Sequence, residues 1–349
     1  MLTTGLLDPM NMSAYLAYGQ LLTDLCDSML EERTSFMKHL ESERFDLVIL
    51  EDVSLCGSMI AKMLDLPFIY TSLSNTILDV QRYVLFQLSY IPVMATGMTI
   101  PMSFIERVHN TLLGIVDSLI YRYMFIWNVH ALNLKHGVIA DNNYYEIQDA
   151  ELILWNKDFI LDFPRPFSTN VVPYGALTVK PAMPLEQTVV FINHAGTNGI
   201  YEAIYHGVPM VNIPLGADHF DNAAKVQNKG MGKTVFYSDI TEESLYQTIM
   251  EVVNNNTYKL NTMYFSKLYK DKPMNASETV AYWVNYVFKY GGKHLNSNAK
   301  DMSFIQYYLI DIILLLSVLS GIILLIIVQS CSMRSFLSSK KIIEALGRI

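Results

Sequence analysis

Apolar positions along the first half of the chain alternate between two spacings, one of three to four residues and one of a short continuous run. Leu21 to Arg44 carries its apolar residues at helical spacing and reads as an amphipathic helix. Phe45 to Leu50 is an apolar run of buried-strand length, Gly57 to Leu64 returns to helical spacing, and Pro67 to Tyr70 is strand again. Asn75 to Gln87 and Ile105 to Trp127 are helical and aromatic, with Pro92 and Pro101 punctuating the loop between them. The aromatics there suit core packing first and an apolar substrate pocket second. Glu151 to Trp155 and Val171 to Gly175 are further strands. Strands alternating with helices predict an α/β fold with parallel sheets.

The pattern is densest in FINHAGTNGIYEAIYHGVPMVNIPLGADHFDNAAKVQNKGMG, Phe191 to Gly232. Val189 to Ile192 predicts a strand, after which Gly196, Thr197, Asn198 and Gly199 open a helix. That helix, Ile200 to His206, ends at Gly207, which suits a left-handed cap, and Pro209 precedes the next strand, Met210 to Ile213. Lys233 to Tyr237 predicts a strand. Glu242 to Asn254 predicts a helix with acidic residues in its first turn, where the helix dipole favours them. Backbone N–H groups at the Gly196 to Gly199 helix start favour phosphate.

Composition adds a membrane. Ile312 to Met333 is a run of 22 residues without a charge, enough to cross a hydrocarbon core that needs about 20. Arg334, Lys340, Lys341 and Arg348 follow it and predict a cytosolic tail, with the bulk of the chain on the opposite, luminal side. Met1 to Tyr18 has neither the basic start nor the apolar stretch of a signal peptide, although a luminal body calls for one. The net charge of −8 argues against a nucleic-acid partner. Cys26, Cys56 and Cys331 are too few and too scattered for a disulfide framework or a metal site. Sequons at Asn11, Asn255 and Asn275 permit glycosylation in the secretory pathway. No GxGxxG fingerprint supports a dinucleotide-dependent oxidoreductase.

The segment from Phe191 resembles the signature of the UDP-glucuronosyltransferases within the UDP-glycosyltransferase family. The resemblance extends to FDLVILEDVSLCG at Phe45 to Gly57, SYIPV at Ser89 to Val93, DFPRP at Asp162 to Pro166 and NVVPYGALTVKPAMPL ending at Leu185. It continues through YWVNYVFKYGGKHL at Tyr282 to Leu295 and SFIQYYLIDI before the apolar run. GADHFDNAAKVQNKGMG is similar to the ceramide galactosyltransferase branch, whereas GTNGIYEAIYHG is closer to the drug- and steroid-conjugating branch. The resemblance implies a GT-B-like pair of Rossmann-like domains, both incomplete here, plus one C-terminal transmembrane helix. Residues 1–177 would form part of an acceptor-binding lobe, 178–187 a linker, and 188–300 part of a UDP-sugar-binding lobe. Residues 304–333 would form the transmembrane segment and 334–349 a basic cytosolic tail of a single-pass protein of the endoplasmic reticulum membrane.

By the same resemblance, His194, Gly196, Asn198 and Gly199 face the pyrophosphate, Glu202 the ribose hydroxyls, and Asp218 and His219 the sugar. The residue chemistry is compatible: an imidazole N–H and helix-start N–H groups donate, and carboxylates accept from hydroxyls. The implied reaction is an inverting transfer of glucuronic acid, galactose or glucose to a hydroxyl of a lipophilic acceptor. It needs no cofactor besides the UDP-sugar donor, and no metal. In the family an acidic residue after the FD-containing strand orients a basic histidine; Glu51 matches that position, with Asp52 beside it. The histidine's own context is not found around His39, His109, His130 or His136. Between Gln187 and Thr188, family members carry further strands and a segment holding uracil, which this chain passes over. Ala195 stands where a second glycine is usual, and His219 replaces a commoner glutamine, a change that goes with galactose donors in related transferases. The competing expectation is an inactive truncated isoform that associates with active relatives, as a homo- or hetero-oligomer.

Overall fold

A computed structural model describes residues 9–31, 35–51, 54–72, 88–93, 96–121, 128–138, 149–166, 168–179, 188–216, 218–297 and 302–346. The chain divides into two units, Met1–Ser297 and Asn298–Ile349. The larger unit begins with helices α1 (Pro9–Glu31) and α2 (Phe36–Glu43), where a single helix is predicted from the spacing. Strand β1 (Val48–Glu51), helix α3 (Leu55–Met63) and strand β2 (Phe68–Ser72) follow, then α4 (Phe104–Tyr121), α5 (Asn128–His136), β3 (Leu152–Trp155) and β4 (Val171–Pro173). The four strands form one parallel sheet in sequential order. All four side chains of β3, Leu-Ile-Leu-Trp, are buried, as expected of a central parallel strand covered on both faces. The predicted helix at Asn75 to Gln87 lies outside the described residues, as do 180–187 of the predicted linker.

A second parallel sheet runs β5 (Phe191–Asn193), β6 (Met210–Asn212), β7 (Gly232–Thr234), with α6 (Thr197–His206) and α7 (His219–Asn228) between its strands. Gly207 takes φ 65° and caps α6, donating its N–H to the Ala203 and Ile204 carbonyls. The expected strand at Lys233 to Tyr237 is shorter: β7 stops at Thr234 and a 3₁₀ turn occupies Tyr237–Asp239. Helix α8 (Glu242–Asn254) spans the predicted residues and starts in a reciprocal Thr241–Ser244 capping box. Helix α9 (Asn256–Lys270) packs on α6 through the buried cluster of Tyr201, Ile204 and Tyr269.

Helix α10 (Ala276–Tyr290) returns to the first sheet. Its Trp283, Val284 and Val287 pack against Ile69, Leu152, Leu154 and Val172. Beyond it, Gly292 N–H donates to the Glu151 carboxylate, and Asn170 Nδ2 to Asn296 Oδ1. Residues near 290 therefore complete the first sheet, although they follow the second in sequence.

The first unit also corrects the cysteine reading. Cys26 and Cys56 form a disulfide linking α1 to α3, inside a buried cluster with Leu30, Met59 and Leu132. A scattered pair in sequence becomes adjacent because α1 folds back across α3. In the second unit a short α11 (Phe304–Tyr307) precedes α12 (Ile310–Leu346), whose Ile310–Ser330 portion is long and apolar enough to cross a membrane.

Candidate functional site

The C-terminal end of β5 delivers the chain into a clamped turn. Asn193 pairs with Asn212 across the strands, its Nδ2 donating to the Asn212 Oδ1 at 3.1 Å. The Asn193 Oδ1 accepts the Ala195 N–H at 2.5 Å, and Asn222 Nδ2 donates to the Ala195 carbonyl at 3.1 Å. Held from both sides, Ala195 sits fully buried at φ 65°, a backbone region unfavourable for a side chain bearing Cβ. Gly196 then caps α6 without a side chain, so the first N–H groups of the helix receive no side-chain acceptor from the cap. The His194 ring lies over Gly196: a Cβ there would stand 2.3 Å from His194 Nε2.

His194 and His219 meet edge to face, their ring centroids 4.7 Å apart. Burial, together with the charge His194 would carry, draws His219 below the ordinary histidine range against the opposing pull of Asp218. The neutral ring accepts the Leu215 N–H at Nδ1, which leaves Nε2–H as a donor. Asn198 and Glu202 lie exposed on α6, one turn apart and so on one face of the helix. His194, Gly196 and His219 thus meet at the start of α6, whose first two turns carry Asn198, Gly199 and Glu202.

Asp218 is bound more tightly into the protein than the sequence suggested. Its Oδ2 accepts Thr197 Oγ1 and Asn222 Nδ2, both at 2.8 Å, and faces Lys157 Nζ at 3.7 Å. Burial pushes its carboxyl upward, but Lys157 and the two hydrogen bonds outweigh that and hold it below the usual range. Lys157 comes from the other sheet, just after β3, and is wholly buried; burial lowers its ammonium while Asp162 opposes the shift. Lys157 Nζ also donates to Thr197 Oγ1 at 3.3 Å. A second cross-link between the lobes, Lys225 Nζ to Asp162 Oδ1 at 2.5 Å, is buried at both ends. Asn193, Asn222, Lys157 and the Asp162–Lys225 pair were not legible as site residues: Asn193 adjoins His194 in sequence, but Lys157 is brought in only by the fold.

Glu51 stands exposed at the C-terminal end of β1, at the other sheet, and its backbone carbonyl accepts the Ser54 N–H. Asp52 lies outside the described residues. The imidazoles of His136 and His294 are engaged elsewhere, with Asp27 and Tyr286.

Two parallel α/β lobes joined through buried cross-links, Lys157 with Asp218 and Lys225 with Asp162, make up the two-lobed GT-B architecture. Among solved structures the chain resembles the glycosyltransferase VinC, determined in complex with dTDP, with a TM-score of 0.52 and 15% identity. That likeness covers 82% of this chain and 84% of VinC. The chain belongs to the UDP-glucoronosyl and UDP-glucosyl transferase family, whose model matches residues 7–190 and 187–343. It is 26% identical to the rabbit (Oryctolagus cuniculus) UDP-glucuronosyltransferase 2C1, over 90% of this chain and 78% of the relative. The mouse (Mus musculus) 2-hydroxyacylsphingosine 1-beta-galactosyltransferase is also 26% identical, over 88% and 71%. A glucuronosyl and a galactosyl relative therefore match at the same identity. The rabbit alignment is 399 positions long, more than the 349 residues present here, so the relative carries internal residues without a counterpart in this chain. The family model itself matches in two pieces that meet at 187–190, beside the predicted gap.

Proposed function

We propose that the helix start at Gly196 to Gly199 binds the pyrophosphate of a UDP-sugar, and that the chain's chemistry is inverting hexosyl transfer to a hydroxyl of a lipophilic acceptor. The observation that carries this is the uncapped α6 start with His194 laid over it and His219 offering a second N–H beside it. In this reading the leaving diphosphate takes hydrogen bonds from the helix-start N–H groups, His194 and the Asn198 side chain. Glu202 accepts from the ribose hydroxyls, and Asp218 with His219 orients the sugar. Glu51, or Asp52 next to it, is the acid that would orient a basic histidine. The donor is glucuronic acid, galactose or glucose linked to UDP. The protein is a glycosylated, single-pass endoplasmic reticulum membrane protein with its bulk in the lumen, a compartment that suits the Cys26–Cys56 bridge.

A second reading is favoured by one observation. Strand β5 ends the second sheet among the described residues, with Phe191 and Ile192 exposed. A lobe missing its next strands would bind diphosphate without turning it over and serve as an inactive partner of active relatives. Calorimetry with UDP on the detergent-solubilised full chain, followed by assays of UDP-hexose consumption, separates the two. Donor binding should fall about tenfold or more in His194→Ala, the loss of a hydrogen bond to a charged group. UDP binding with turnover supports transfer, and binding without turnover supports the inactive partner. Absence of UDP binding by the wild-type chain rejects the donor site.

A further inference from the structure

Helix α4 is built with its apolar side outward. Phe104, Ile105, Val108, Leu112, Ile115 and Val116 are all exposed, from 37% to 72%. At about 100° per residue these six positions fall within an arc of roughly 120°. The side turned toward the protein carries instead the wholly buried Asn110, with Leu113 and Gly114. Asn110 Nδ2 donates to the Leu88 and Ile91 carbonyls, both at 2.8 Å, and its Oδ1 accepts the Val93 N–H at 2.7 Å. A helix at the surface of a soluble domain is oriented the other way, with its apolar stripe toward the core. The helix is not free to roll: Asn110 fixes one face, and Ser103 and Glu106 cap its start reciprocally.

Six adjacent apolar side chains form a contiguous patch rather than scattered exposure, which marks an interaction surface. The chain itself indicates what covers it. Ile310–Ser330 has the length and a mean hydropathy of 2.9 suited to a bilayer, and no part of that stretch is buried in protein. The connector from Ser297 to Ile310 is about a dozen residues, able to reach at most roughly 45 Å. A compact body of this size has a radius of gyration of about 19 Å, so the tether keeps it beside whatever bilayer the span occupies. Lipid is thus the apolar phase always at high local concentration. We infer that α4 is an interfacial helix, seating its Phe104–Val116 arc among the acyl chains while Asn110 anchors it to the lobe. This rests on reading Ile310–Ser330 as a membrane span, and it places the first lobe against the phase in which a lipophilic acceptor dissolves.

The test uses the full chain in phosphatidylcholine vesicles, photolabelled with a lipid-soluble diazirine and mapped by peptide mass spectrometry. Residues 104–116 should be labelled about fivefold more than the peptides bearing Tyr246 and Tyr264, which are exposed aromatic positions outside the arc. The double variant Leu112→Glu with Ile115→Glu should lose the label on α4, keep that on the span, and retain its circular dichroism. Label on the span with none above background on α4 overturns the docking alone; label on neither overturns the span reading with it. Labelling of α4 that falls as the protein-to-lipid ratio rises means that a second copy covers the arc, and also overturns the proposal.

Discussion

Ala195 is the residue at which local strain and site geometry meet. Its left-handed backbone disfavours a Cβ by about 1–2 kcal/mol, whereas burying the methyl returns about 0.8 kcal/mol. Ala195→Gly should therefore leave stability within about 0.5 kcal/mol of wild type once the chain entropy of glycine is included. By contrast Ala203→Gly, also buried but inside α6, should cost about 1–2 kcal/mol through helix propensity and lost burial. Urea titration of the two variants side by side checks this; an equal loss at both would mean that the clamped turn is unstrained. Gly196→Ala should perturb stability little, because the His194 ring can swing away, yet weaken UDP binding about tenfold by displacing the imidazole. At Asp162, burial pushes the carboxyl up, but the ammonium groups of Lys225 and Lys157 outweigh it and hold it below the ordinary range. A depressed native value contributes stability that is present above the unfolded value near 3.9 and is lost as pH falls through the native one. Acid denaturation of the wild type should thus gain a component below about pH 4 that is absent from Asp162→Leu with Lys225→Met. Asp162→Ala alone, which strands a buried ammonium, should cost about 3–5 kcal/mol. The residues proposed for the donor side could be picked out in sequence because strand, loop and helix bring them together within about thirty positions. Lys157 and Asp162 were not, since their partners lie forty and more residues away in the other lobe.

Among the elements, those with strong local signals were read correctly and the compound ones were not. Helix α8 matches its predicted bounds because acidic residues and a capping box mark its start. The helix expected at Leu21 to Arg44 resolves into two, and the Lys233 strand shortens, because tertiary contacts rather than periodicity set those ends. Strand β5 carries a testable liability. Val189 is 64% exposed and precedes an edge that pairs only with β6 among the described strands. An apolar unpaired edge recruits other chains. Val189→Lys should leave the unfolding free energy within about 0.5 kcal/mol while reducing aggregation of the solubilised protein, as followed by light scattering during incubation. Unchanged scattering would mean that the edge is already shielded.

For the whole molecule, the parallel α/β class and the apolar C-terminal segment could be read from pattern alone, whereas the way the lobes interlock could not, because no local spacing encodes it. The luminal placement proposed above makes a direct prediction. Asn255 and Asn275 are exposed, and each caps a helix through its Oδ1, leaving Nδ2 to carry a glycan. Thr257→Ala and Ser277→Ala remove the two acceptor triplets without removing the caps, so each should speed gel migration by one glycan. No change in either variant, nor on glycosidase treatment of the wild type, would count against a luminal body. The return of α10 to the first sheet has a temporal consequence. A ribosome makes β1 to β4 early, yet one face of that sheet waits for Trp283 and Val287, and Glu151 waits for Gly292. The first lobe therefore finishes folding only after the second has been synthesised, shortly before the apolar segment emerges. Until then Ile69, Leu152 and Leu154 remain open to chaperones, which makes the closing of the first lobe and the emergence of the apolar segment nearly simultaneous events.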